Sequence, residues 1–141
     1  MNGAGIKHIE FWVQNLEEAF KFYMSFFKII GWERSGKTGF IGGGSEIYFK
    51  EIPYVQKIER FLVQMMRSFL KMPGPRHICF CAASRSAVDS VGDLLRAHGL
   101  TIIRGPIEMT GAEYSKYYYT VDFYGPEGFI WEVAHTPYSS H

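Results

Sequence analysis

An α+β fold made of two βαβββ modules is what this sequence predicts, and three observations predict it. First, His8-Ile9-Glu10-Phe11 recurs as His77-Ile78-Cys79-Phe80, the mark of a repeated supersecondary unit. Second, each copy is followed by a capped amphipathic helix that ends on glycine. Third, each helix is followed by short strand-like runs broken by turn residues. One such module does not close a core alone, so the two sheets are expected to pair around a shared cavity.

The elements follow in order. Ile6 to Val13 and His77 to Ala82 are apolar runs of strand character. Asn15 and Ser84 stand after them as N-caps, and Glu18 completes a capping-box spacing with Asn15. Leu16, Ala19, Phe20, Tyr23, Phe26, Phe27 and Ile30 keep the rhythm of one buried helical face. Val88, Val91, Leu94, Leu95 and His98 keep it in the second copy. Gly31 and Gly99 suit left-handed positions just past the helix ends. Strands are then expected at Trp32–Ser35, Thr38–Ile41 and Glu46–Ile52, and again at Thr101–Arg104, Tyr117–Tyr124 and Phe129–His135.

The whole chain, 1–141, reads as one domain, with module one over 5–53, a linker helix over about 54–75 and module two over 76–136. In the insertion, Ile58, Phe61, Leu62, Met65, Met66, Phe69 and Leu70 form an apolar helical stripe that Pro73-Gly74-Pro75 stops. It reads as a helix packed on a sheet, as a Met-bearing lid or dimer contact, or more weakly as a membrane-surface helix.

Composition narrows the function classes. The 141 residues are 47% hydrophobic and 21% charged, which excludes a disordered chain. A net charge of +1, with no long run of one sign, lacks the signature of a nucleic-acid or anionic-membrane partner. No apolar stretch is long enough to span a membrane, and the N-terminus shows no charged leader before an apolar run. Cys79 and Cys81 would share one strand face, a poor geometry for a mutual disulfide, so buried reduced thiols and a cytoplasmic setting are expected. Aromatic residues reach 17%, pointing to a thick core, a ring-lined pocket, or both.

The segments K-H-I-E-F-W-V-Q-N-L-E-E-A-F-K-F-Y and R-H-I-C-F-C-A, with the closing run Y-Y-T-V-D-F-Y-G-P-E-G-F-I-W-E-V-A-H-T-P, resemble the vicinal-oxygen-chelate superfamily, the glyoxalase, bleomycin-resistance and extradiol-dioxygenase group. The resemblance covers nearly the whole chain except the central helix. It implies His8 and His77 as imidazole ligands and Glu132 as a carboxylate ligand of a divalent ion such as Fe, Mn, Ni or Zn. It also implies a homodimer that acts on, or sequesters, a small organic molecule. Each residue has a plainer reading, since a strand His is often a buried hydrogen-bonded residue and a strand Glu often faces solvent.

The fourth ligand position departs from the complete glyoxalase pattern. Counted from Gly128 and Gly44, the match to Glu132 is Tyr48; matched on Ile-aromatic pairs it is Phe49. Glu46 and Glu51 reach the position only by a two-residue register slip, which keeps the face, with Glu46 ahead because it shares Tyr48's face. Isomerisation beside a carbonyl needs a carboxylate base, whereas extradiol-type oxygenation needs only two His and one carboxylate. Further pocket candidates are Trp12, on the His8 face by alternation, and Tyr119, as a hydrogen-bond donor. Trp131 and His135 should point away from Glu132, and Asp122 is expected to pair with Arg104 or Arg76.

Overall fold

The computed structural model describes residues 4–53, 62, 65, 66, 69 and 74–137. The chain divides into two compact units, Met1–Ile58 and Glu59–His141. The first contains β1 (His8–Val13), α1 (Leu16–Ile29), β2 (Glu33–Ser35), β3 (Gly39–Gly42) and β4 (Ser45–Glu51). The second contains β5 (Ile78–Cys81), α2 (Arg85–Ala97), β6 (Ile102–Glu108), β7 (Tyr119–Tyr124) and β8 (Ile130–His135). Their sheets have matching orders, β1-β4-β3-β2 and β5-β8-β7-β6. In each, the first strand runs parallel to the last and the other pairings are antiparallel. Each unit is thus a βαβββ module, as the repeat predicts.

The caps are those the sequence signals. The Asn15 side chain accepts from the Glu18 backbone N–H at 3.0 Å, and Ser84 Oγ accepts from that of Ala87 at 3.2 Å, each satisfying an otherwise orphaned helix N–H. Gly31 and Gly99 follow the helices at φ +79° and +61°, a conformation that costs other residues.

The aromatic excess goes into the first unit's core. Phe22, Tyr23, Phe26 and Phe27 of α1 are buried with Phe40 of β3 and Phe49 of β4. Phe27 stacks on Phe40 at 4.2 Å between ring centroids, and Tyr23 on Phe49 at 4.4 Å. Rings that size contribute about 1.5–3 kcal/mol each through burial alone. Phe22 widens the stripe beyond the positions the rhythm marks. The second core is mainly aliphatic: Val88, Val91 and Leu95 of α2 lie buried with Val121 and Val133, alongside Phe80 stacked on Trp131.

Several expectations need correction. His98 is exposed and caps α2 instead of continuing its buried face. Cys79 and Cys81 are free but exposed, because β5 alternates and turns Ile78 and Phe80, not the cysteines, toward the core side. The strand expected to stop at Arg104 continues to Glu108 through two register shifts against β7, since a bulge carries a strand past residues that look like a turn. Leu62, Met65, Met66 and Phe69 are helical and exposed, Phe69 at 81%, so these four do not pack into a core. Ile58, Phe61 and Leu70 of the same stripe lie outside the described residues.

Candidate metal centre

Strand alternation gives each sheet one face toward its helix and one polar face. On β8, Trp131 and Val133 point to the α2 side, and Glu132 lies on the other. Glu132 pairs across from Cys79 on β5 and from Asp122 on β7. His77 sits one residue before β5, on the same face as Cys79 by alternation.

His77 Nε2 lies 2.9 Å from Glu132 Oε2. The other oxygen, Oε1, accepts from the Tyr118 hydroxyl at 2.7 Å and from the Thr120 hydroxyl at 2.8 Å. Glu132 is only 5% exposed, and these partners offset the cost of burying its charge. Burial and its bonds to Cys79 and Glu132 push the Tyr118 phenol well above its usual range, so it stays a protonated donor. The Cys79 sulfur lies 3.5 Å from the phenol oxygen, and its thiol also reaches the Phe80 carbonyl at 3.9 Å. Burial pushes the Cys79 thiol up to about 12.

The pair suits a divalent ion. The observed 2.9 Å is that of a direct N–H···O hydrogen bond. It is also close to the separation of about 3 Å between neighbouring donors, each about 2.1 Å from one ion, in an octahedral site. Hydroxyls fixing the second carboxylate oxygen are the kind of outer support that orients a ligand. Among the described residues, no three His, Cys, Asp or Glu form a group that could hold a metal ion, so the structure shows a pair and not the three-residue set the resemblance implies.

Asp122 pairs with Arg104, whose Nη2 donates to Oδ2 at 2.6 Å, and Nη1 donates to the Tyr114 hydroxyl at 3.1 Å. Burial, then the Glu132 charge, raise the Asp122 carboxyl above its ordinary value, with Arg104 opposing. Gly105, next to Arg104, has φ +88°, and a Cβ there would stand 2.2 Å from the Thr120 carbonyl oxygen. Only glycine allows β6 to approach β7 at that point. A cavity of about 310 Å³ adjoins these groups, lined by His77, Glu132, Tyr118, Arg104, Tyr114 and Arg76 among others.

The first unit differs in chemistry. His8 pairs in register with Glu46. In the second unit the register, carried back one residue, sets His77 against Ile130, with Glu132 two residues on. Two residues after Glu46 is Tyr48, so the strand pairing makes Tyr48 the counterpart of Glu132. Phe49 is corrected on this point: it is 2% exposed and faces the ring core. The Tyr48 hydroxyl donates to Glu46 Oε2 at 3.1 Å, and Glu46 Oε1 meets Lys7 at 3.3 Å. The His8 ring stands edge-on to Tyr48 at 6.0 Å. Trp12 shares the His8 face and is 61% exposed.

Tyr119 is also corrected. It faces α2, where its hydroxyl donates to Asp89 at 2.7 Å, because it is one residue out of phase with Thr120. The tyrosine at the site is Tyr118, which the expected pocket set omitted. The alternation of Tyr118, Thr120 and Asp122 with Glu132's face was the signal that could have found it. His135 donates from Nδ1 to the Ala82 carbonyl at 3.0 Å and lies away from Glu132.

Two βαβββ modules with a His–Glu pair on one polar sheet face define a class, and comparison names it. The chain belongs to the Glyoxalase/Bleomycin resistance protein/Dioxygenase superfamily, whose family model matches residues 5–133. Among solved structures, a glyoxalase/dioxygenase from Nostoc punctiforme is 19% identical, with a TM-score of 0.68, covering 96% of this chain and 93% of its own. A protein from Bacillus halodurans, provisionally called a glyoxalase, is 24% identical, with a TM-score of 0.66, covering 93% of this chain and 95% of its own. A glyoxylase/bleomycin resistance protein/dioxygenase domain from Frankia is 16% identical, with a TM-score of 0.64, covering 99% and 97%. These likenesses are to the fold. No curated protein matches the sequence. Among the described residues, no helix is long and apolar enough to cross a membrane.

Proposed function

We propose that this chain is a divalent-metal-dependent enzyme of the lyase/isomerase or dioxygenase type, acting on a small organic substrate with adjacent oxygens. His8, His77 and Glu132 are its ligands, and the ion is Fe, Mn, Ni or Zn. The observation that carries this reading is the 2.9 Å approach of His77 Nε2 to Glu132 Oε2, with Oε1 already held by Tyr118 and Thr120. When bound, the ion supplies Lewis-acid polarisation of a substrate oxygen. The protein's own groups do the rest: Tyr118 and Thr120 fix the carboxylate through Oε1, which leaves Oε2 facing His77.

Residue count favours the dioxygenase type. Moving a proton beside a carbonyl asks for a second carboxylate base, and Tyr48 stands where the first unit would supply it. Two imidazoles and one carboxylate ask nothing of Tyr48. Free thiols at Cys79 and Cys81 support a cytoplasmic setting, and exposed Leu62, Met65, Met66 and Phe69 support a homodimer.

The test is elemental analysis of chelator-free protein after incubation with mixed divalent metals. About one ion per chain is expected, lost in His77→Ala and Glu132→Gln, with His8→Ala deciding whether the first unit contributes. Unchanged metal content in His77→Ala would overturn the ligand set. A non-catalytic sequestering protein of the bleomycin-resistance type is the second reading, favoured by the exposed Trp12 ring on the His8 face. Quenching of tryptophan fluorescence by a ligand recovered unaltered would support it, and recovery of altered ligand would exclude it.

A further inference from the structure

The cavity beside His77 and Glu132 has a wall that metal binding alone does not use. Its lining is ionic and hydroxylic, with Arg76, Arg104, Tyr114 and Ser115 beside the two candidate ligands, and no aliphatic residue among the described ones. Pockets for drug-like apolar ligands are lined mainly by hydrophobic side chains, and their volumes start at about 300 Å³. A polar cavity of about 310 Å³ therefore suits a small, charged molecule.

The cations decide the sign of that charge. Arg104 sits between the two register shifts of β6, where a bulge re-aims a side chain. Asp122 and Tyr114 take one bond each from its guanidinium, which carries five N–H groups in a rigid fork. Donors remain for a ligand, and the fork is held in place before the ligand arrives. Asp122 is not among the lining residues, so it braces Arg104 without facing the cavity. Arg76 is exposed and forms no ion pair with a described residue. Glu113 is the one lining acid outside the His77–Glu132 pair and is exposed like Arg76, so screening weakens both alike and half-buried Arg104 carries the preference for an anion.

We propose that this cavity takes a small carboxylate-bearing molecule, with Arg104 and Arg76 on the carboxylate and its neighbouring oxygen directed at the His77–Glu132 pair. The substrate class is then a 2-oxo or 2-hydroxy acid. The direction of the second oxygen rests on the metal reading above; recognition of the carboxylate does not.

Saturation-transfer NMR on the methyl groups of pyruvate and L-lactate tests this with the full chain, with and without Zn(II), against methyl pyruvate and methyl lactate. The acids are expected to bind about tenfold tighter than the esters, and Arg76→Gln and Arg104→Lys each to weaken them by about tenfold. Arg76 is exposed, so Arg76→Gln keeps the fold and carries the test if Arg104→Lys is unstable. Equal binding of esters, or acid binding unchanged in Arg76→Gln, overturns the proposal. Zinc uptake that depends on His77 without any acid signal also overturns it and leaves the metal reading standing. Acid binding that needs both arginines, in a chain that takes up no zinc, supports the carboxylate class and removes the metal reading instead.

Discussion

The two modules share a strand order and differ in what they place on the polar sheet face. In the second, His77 meets a buried carboxylate whose other oxygen is fixed by two hydroxyls. In the first, the counterpart of that carboxylate is Tyr48, whose hydroxyl is spent on Glu46. Glu46 in turn meets an exposed lysine, Lys7. A pair whose lysine end stands in solvent contributes little, whereas a desolvated carboxylate with its hydrogen bonds satisfied is a specific chemical device. A repeated fold therefore does not imply a repeated site: the frame follows from the apolar face, and the chemistry follows from a few residues on the other.

The cores differ as well, which gives the largest expected effect. Phe27 is fully buried and stacks on Phe40, while Leu95 is the equivalent anchor of α2 and equally buried. Phe27→Ala should cost about 3–5 kcal/mol and Leu95→Ala about 2–4 kcal/mol, read as shifts in urea unfolding midpoints. A smaller loss for Phe27→Ala than for Leu95→Ala would mean that the ring cluster repacks around the gap and is no tighter than the aliphatic core.

The polar face explains what the sequence made legible. Helices, caps and strand order were readable because each rests on local chemistry: Asn15 and Ser84 as caps, glycine at the helix ends, apolar residues at helical spacing. The His77–Glu132 pairing was readable through the resemblance. Tyr48 as the counterpart of Glu132 was one of two alignments, and only strand register separates it from Phe49, because a one-residue shift exchanges the two faces. Tyr118 was missed in favour of Tyr119 for the same reason. Arg104's reach toward the cavity depends on register shifts in β6, which Arg104-Gly105-Pro106 suggests as a turn and tertiary pairing converts to a bulge.

Cys79 gives a rate test of that same face. It occupies the place in its module that Glu10 holds in the other. The residue as a whole is exposed, but desolvation of its sulfur pushes the thiol up to about 12, with the Glu132 charge adding and the Tyr118 bond opposing. Below both pKa values, the thiolate fraction falls by more than a thousandfold relative to a free cysteine near 8.5. The more basic thiolate is intrinsically more nucleophilic, recovering about one and a half powers of ten. In the Cys81→Ser chain, iodoacetamide should therefore alkylate Cys79 about a hundredfold more slowly than free cysteine at pH 7.5. The rate should climb with pH throughout the alkaline range, because ionisation is far from complete there. Alkylation at the free-thiol rate would show that the sulfur is not desolvated.

The smallest effect bears most directly on the difference between the modules. Thr120 is fully buried, and its hydroxyl reaches Glu132 Oε1 at 2.8 Å and the Val133 carbonyl at 3.1 Å. Thr120→Val keeps the shape and deletes the donor, so Glu132 loses one of the two bonds that hold Oε1. Tyr118→Phe deletes the other. Outer-shell losses of this kind cost about 10–100-fold in metal affinity, and a carboxylate still held by one partner belongs at the lower end, about tenfold for either change. In the first unit, Tyr48→Phe removes a hydroxyl already committed to Glu46 and should leave metal affinity unchanged. Manganese titrations followed by electron paramagnetic resonance would rank the three variants. An equal loss in Tyr48→Phe would make Tyr48 a fourth ligand and erase the asymmetry between the two polar faces.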